Sequence, residues 1–252
     1  MKQNKFIIVV CCYNAAPYIE RCLDSIKQQE YENYEVLIVD DKSTDKTWEI
    51  IDENMCSNYT AIRNDSNMGA VHNKTIAIWK TLKPNDNDII IGLDGDDNFT
   101  DGMVLKRLNE AYQDESLWTT YGECTYPETV PHYGCSIDWD KPIRRQEFRY
   151  PNPRTYKWFL LKNIPYTEMC YRNEVLFKTP EDWVLSFPVL EMAGPLHTGY
   201  IKDELTEYHM TPLYDFKVNP EKSNEVRVIL LNRLGLQTRT ESELKGNEVD
   251  WK

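Results

Sequence analysis

FIIVVCCYN (residues 6–14), YEVLIVDD (34–41) and IIIGLDGDD (89–97) decide the fold. Each is a short apolar run that ends abruptly in polar residues. A run with no polar alternation is the pattern of a strand covered on both faces. Between the runs the apolar residues fall at helical spacing. After Pro17 they are Tyr18, Ile19, Cys22, Leu23 and Ile26. After a cap at Ser43, Thr44 or Asp45 they are Trp48, Ile51 and Met55. A short strand at 60–62 precedes a helix over 69–82 that carries Ile76, Ala77 and Trp79. Strands alternating with helices predict a mostly parallel sheet with right-handed crossovers. Ligands of such sheets lie beyond the carboxyl ends of the strands. Tyr13-Asn14, Asp40-Asp41 and Asp94 to Asp97 are therefore expected to converge on one site.

Outward from these runs, a helix is expected over 101–112, with Val104, Leu105, Leu108 and Ala111 on one side, and a strand over 118–124. Residues 126–153, rich in Pro, Tyr and charge, read as a long loop excursion. Helices are expected at 155–163 and 181–192, and a strand at 200–208. Pro220 opens a helix over 220–234 with Val226, Leu230 and Leu234 at i, i+4 and i+8, ended by Gly235. The polar residues 236–252 are expected to be loosely held.

The chain has 252 residues, with 29 Lys plus Arg against 41 Asp plus Glu, a formal net charge of −12. That length buries a core without disulfide staples. The acidic surplus argues against nucleic-acid binding, whose footprint is basic. An acidic ligand stays possible where a metal ion held by the acids neutralises it. No run of 18 apolar residues occurs, and the N-terminal apolar run reads as a buried strand, not a signal peptide. The seven cysteines form no CxxC pair and read as free thiols of a reducing compartment, so a cytoplasmic location is expected.

Three residue groups carry chemistry. Asp94, Asp96 and Asp97 are three carboxylates in four residues, a set that repels itself unless a cation shares it. Mg²⁺ and Mn²⁺ take such oxygen ligands and are completed by substrate phosphates. The alternative is a solvated acidic turn. Asp40-Asp41 opens DDKSTD, where one acid or hydroxyl caps the next helix and another can accept N–H groups of a nucleobase. Tyr13 can stack on a base or be an ordinary half-buried tyrosine.

The stretch FIIVVCCYNAAPYIERCLDSIKQQEYENYEVLIVDDKSTDKTWEI resembles the opening of family 2 glycosyltransferases with the GT-A fold. NMGAVHNKTIAI, IIIGLDGDDNF, PRTYKWFLLKNI and PEDWVLSFPVLEMAG are similar to later motifs of that family, in the same order. The resemblance implies one Rossmann-like α/β domain. Residues 1–125 would form the nucleotide-sugar half, 126–235 the acceptor side and 236–252 a polar tail. It implies an inverting transfer from a UDP- or GDP-sugar to a hydroxyl of a glycan, a lipid-linked or a protein-linked acceptor, with Mn²⁺ or Mg²⁺. Asp182 matches the catalytic base. Tyr13, Asn14, Asp40, Asp41, His72, Asn73, Asp94 and Arg154 are the donor-side candidates. Asp94, Asp96, Asp97 and His209 are the metal candidates.

Each role has a plainer competitor. Asp182 can be a helix-start acid favoured by the helix dipole. His72 and His209 can be satisfied bystanders, and Arg154 a surface ion pair. Lys42 stands where the family commonly has Gly, and Cys11-Cys12 and Val71-His72-Asn73 also depart from its pattern. A haloacid-dehalogenase-type phosphohydrolase would use DGDD as nucleophile, but on its first strand and without a use for DDKSTD. A non-catalytic nucleotide-sugar binding module would bind donor without turnover.

Overall fold

The computed structural model describes residues 1–125, 134–172, 174–209 and 220–251. The first half alternates as the apolar runs dictate: β1 (Phe6–Cys12), α1 (Ile19–Lys27), β2 (Tyr34–Asp40), α2 (Thr47–Glu53), β3 (Tyr59–Arg63), α3 (Ala70–Asn73), α4 (Ile76–Thr81) and β4 (Ile89–Asp94). Then come β5 (Asn98–Phe99), α5 (Val104–Ala111), β6 (Thr119–Thr125), β7 (Thr155–Lys157), α6 (Trp158–Leu161), β8 (Cys170–Arg172), β9 (Val175–Leu176), α7 (Glu181–Ala193), β10 (Thr198–Glu207), α8 (Pro220–Asn232) and α9 (Glu241–Leu244).

The main sheet runs β3-β2-β1-β4-β7-β6-β10-β5, and β8-β9 form a separate hairpin. β1 pairs in parallel with β2 on one side and β4 on the other. The chain thus steps outward from β1 to β3, then returns to the opposite side of β1. This reversal makes the crevice between β1 and β4 a topological switch point, where open α/β sheets bind ligands. β7 is antiparallel to both neighbours, and β6 and β10 are again parallel. The sheet is of the mostly parallel, mixed kind expected.

Side chains alternate across β1. Ile7, Val9 and Cys11 enter one layer with Val71, Ile76, Ile78 and α7, while Phe6, Ile8, Val10 and Cys12 enter the other with α1, Ile51 and α5. Both faces are covered, which is why the strand is apolar throughout. α7 is buried nearly all round, lined by Val184, Leu185, Phe187, Val189 and Leu190, and so has no polar stripe. The cysteines are free thiols, and among the described residues no helix is long and apolar enough to cross a membrane.

Several expectations are corrected. The helix over 69–82 is two short helices broken at Lys74-Thr75. Residues 155–157 form a strand, because β7 completes the pairing of β4 and β6. Met55 and Leu234 are exposed, and α8 stops at Asn232 without a left-handed glycine at Gly235. Residues 236–251 are tied down: Leu244 and Trp251 are buried, Trp251 Nε1 donates to Ile164 O at 3.0 Å, and a Thr240–Glu243 capping box starts α9. Polarity misled here because two widely spaced apolar residues suffice as anchors. Of the 126–153 excursion, residues 126–133 lie outside the described residues. Residues 134–153 contain only a 3₁₀ turn, Ile143–Arg145.

Candidate active site at the strand ends

Register brings the three motifs together. Cys12 lies opposite Asp40, and Cys11 opposite Asp94, so the ends of β2, β1 and β4 stand side by side. Gly95 donates its N–H to Cys11 O at 2.8 Å. A Cβ at Gly95 would lie 2.7 Å from Cys12 Cβ, so close approach rather than a left-handed turn requires glycine there.

On the β2 side the two aspartates separate. Asp40 is fully buried; its Oδ1 accepts from Ser43 N at 3.1 Å and its Oδ2 pairs with Arg63 Nε at 2.9 Å. Its carboxylate is engaged in building the turn. Asp41 accepts from Met68 N (2.7 Å), Gly69 N (2.8 Å) and Asn64 Nδ2 (2.7 Å), clamping the 64–69 loop to the end of β2. Asn14 Oδ1 accepts from Thr44 N at 2.8 Å and Asn14 N donates to Ser43 Oγ, tying β1 to the same turn. Lys42 has φ +69°, which accounts for glycine being common there in the family it resembles. Tyr13 is about half exposed beside this turn, with its ring available for stacking.

Asn73 is buried. Its Oδ1 accepts from Asn64 Nδ2 and faces His72 Nδ1 at 3.1 Å, so it props the 64–69 loop, and half-buried His72 lies at its edge. Lys74, at the break between α3 and α4, belongs to none of the acidic motifs of the site. Its buried ammonium donates to Asp94 Oδ1 at 2.8 Å and Glu181 Oε2 at 3.0 Å. Burial opposes its charge, but Asp94 and Glu181 hold it well above the usual lysine range.

In the acidic turn the three carboxylates are unequal. Asp94 is partly exposed; burial works against its charge, but Lys74 and then Arg154 keep its carboxyl below the usual range. Asp96 is half-buried, with its carbonyl accepting from Arg21 Nη2 at 3.3 Å. Asp97 is buried and accepts from His209 N at 3.0 Å; burial and the charges of Asp94 and Asp96 push its carboxyl well up. His209 reaches the turn through that backbone N–H, while its Nε2 faces Asn98 Oδ1 at 2.9 Å. Burial, and then Arg21, lower its pKa. Among the described residues no three His, Cys, Asp or Glu side chains form a ready cage for a metal. The donor set nevertheless fits a hard cation, because Mg²⁺-type ions are held by one or two carboxylates and completed by phosphates and water. Asp94 and Asp96 are the two with exposure.

α7, joined to Asp94 through Lys74, begins at Glu181-Asp182. Asp182 is one-third exposed and lies 3.8 Å from Arg154 Nη1. Burial raises its carboxyl pKa, Arg154 pulls it back, Glu181 raises it again, and the net shift is upward. A carboxylate shifted that way is suited to take a proton.

A family profile described as "Glycosyl transferase family 2" matches residues 7–180. The chain belongs to this family. Among curated relatives, the teichoic acid poly(glycerol phosphate) polymerase of Staphylococcus epidermidis is 38% identical over 117 residues, covering 45% of this chain and 16% of that protein. The chain therefore spans a small part of that relative. Among solved structures, S. aureus TarS 1–349 in complex with UDP-GlcNAc superposes with a TM-score of 0.67 at 19% identity, covering 90% of this chain and 65% of that one. The mannosyltransferase PcManGT from Pyrobaculum calidifontis, in complex with GDP-Man and Mn²⁺, gives 0.66 at 16%, covering 94% and 66%. The GT-A fold is thereby shown.

The family match stops two residues before Asp182 and does not reach it. Lys74 and Asn64 had one legible signal each. Lys74 is a lysine inside a run otherwise bound for the core, and Asn64 directly follows β3, the strand beside Asp41's strand. Neither signal names a partner.

Proposed function

We propose that the chain is an inverting glycosyltransferase that moves a sugar from a UDP- or GDP-sugar to a hydroxyl of a glycan, lipid-linked or protein-linked acceptor. The observation that carries this is the Lys74 bridge. One ammonium joins Asp94, on the β4 end at the switch point, to Glu181, the residue before Asp182, which supports a donor turn and a base carried on adjoining elements.

In this reading Tyr13 stacks on the base, and the loop clamped by Asp41 shapes the nucleoside pocket. Asp94 and Asp96 would hold Mn²⁺ or Mg²⁺. When bound, the ion would offset the charge of the departing diphosphate. Asp182 accepts the acceptor's hydroxyl proton while that oxygen bonds to the anomeric carbon. The bond from that carbon to the diphosphate oxygen breaks, and the nucleoside diphosphate leaves with its electron pair. One displacement inverts the centre. The phosphohydrolase reading has no support, since β1 ends in Cys11-Cys12 and the acidic motif follows β4.

The test is a thermal-shift screen of UDP- and GDP-sugars with and without Mn²⁺, followed by turnover assays. A ligand of the native state raises its stability by mass action. The reading expects a metal-dependent shift with one donor class, and turnover of that donor that is lost in Asp96→Ala or with EDTA. Donor binding with neither transfer nor hydrolysis would favour a binding module instead.

A further inference from the structure

We propose that Lys74 is a positioning residue for the transfer, its ammonium locking the acidic donor turn to the start of α7 and screening Asp182 from Glu181. This rests on the glycosyltransferase reading.

The geometry is built around that side chain. At the helix break the backbone leaves helical dihedrals (Thr75 φ −133°, ψ −80°). The stem passes over Gly92, where an added Cβ would lie 3.2 Å from Lys74 Cδ. Gly92 interrupts an otherwise branched strand, and the lysine stem uses the space it leaves. The ammonium then ends between carboxylates of two elements far apart in the chain, Asp94 of β4 and Glu181 of α7. A second link runs parallel to it: Ala70 N donates to Lys178 O at 3.1 Å, and Gly69 packs directly on Lys178.

Asp182 faces Arg154 from the segment before β7, Arg227 from α8, Glu181 on its own helix, and the Trp183 N–H at 3.0 Å. Of these Glu181 alone adds negative charge, and Lys74 is the cation directly paired with it. Removing the ammonium leaves an unscreened carboxylate beside Asp182, which favours the protonated, inactive base. Removing the Glu181 charge does the reverse. A lysine that served packing alone would change stability without moving this titration.

The experiment follows turnover of UDP-glucose and GDP-mannose with Mn²⁺ across pH in the full chain, with folding checked by circular dichroism. Lys74→Met is expected to move the acid limb of kcat up by about one pH unit, the scale of a nearby like charge, while Lys74→Arg leaves it in place. Glu181→Gln is expected to move it down, and it decides the matter where Lys74→Met does not fold. An acid limb unmoved in folded Lys74→Met, or in Glu181→Gln, overturns the proposal. No turnover by the wild type with any nucleotide sugar would instead count against the glycosyltransferase reading.

Discussion

Asp41 Oδ2 accepts a 2.8 Å hydrogen bond from the backbone N–H of Gly69, joining the end of β2 to the loop that follows β3. Its other oxygen accepts from Met68 N and Asn64 Nδ2, so one carboxylate organises a whole loop. Asp41→Ala leaves the Met68 and Gly69 N–H groups without this acceptor, while Asn64 Nδ2 keeps Asn73 Oδ1; at about 1–3 kcal/mol for each buried group the cost is roughly 2–6 kcal/mol. Urea denaturation should show that loss, and donor KM should rise in the same variant.

Gly69 itself has φ +87°, and an added Cβ would meet Lys178 Cα at 2.5 Å. Gly69→Ala combines an unfavourable backbone conformation with a clash against main chain. A destabilisation of about 2 kcal/mol or more is expected, read as a lower denaturation midpoint with an unchanged m-value.

Asp97 and Asp94 should act oppositely on stability. Asp97's folded pKa is raised, so its contribution is greatest at low pH and is lost as pH rises from the unfolded value near 3.9 toward the folded one. Asp94's folded pKa is lowered, so its contribution is present above the unfolded value and is lost as pH falls through the folded one. Asp97→Asn keeps an acceptor for His209 N–H but not the charge. Without added metal it should be more stable than wild type near neutral pH, with the gap closing toward pH 4. A gap that widens toward low pH would contradict the assignment.

Asp182→Asn should lower transfer by about a hundredfold or more, the usual worth of a general base, while donor binding measured calorimetrically stays near wild type. In the wild type, kcat should rise with pH, with a midpoint above the ordinary Asp value of about 3.9, because burial lifts this carboxyl.

Trp251 packs edge-on against Trp158 at 5.7 Å and donates to Ile164 O. Trp251→Ala should cost about 3–5 kcal/mol, typical of a buried tryptophan. Stability unchanged within 1 kcal/mol, on the same scale, would mean the C-terminal residues are held loosely after all.

Legibility followed how local the cause was. The strands with apolar runs were readable because burial on both faces demands that composition. α8's inner residues Val226 and Leu230 were readable by period, but Leu234 lies beyond its end and is exposed. β7 reads as helix in the sequence because TYKWFLL carries no strand period of its own, and pairing with β4 and β6 makes its first residues extended. In the candidate site, proximity of Asp41 to the Asp94 turn followed from parallel topology. The fate of each carboxylate did not.

The sequence by itself determined the α/β alternation, the family and the side of the sheet where the acids gather, since these follow from residue patterns within elements and from the order of the elements along the chain. Tertiary structure alone decided that Asp40 is consumed by Arg63, that Asp41 holds a loop, that His209 turns to Asn98 and that Lys74 ties Asp94 to Glu181. Those outcomes depend on which donor or cation reaches each acid from another element, and linear spacing carries no record of that distance.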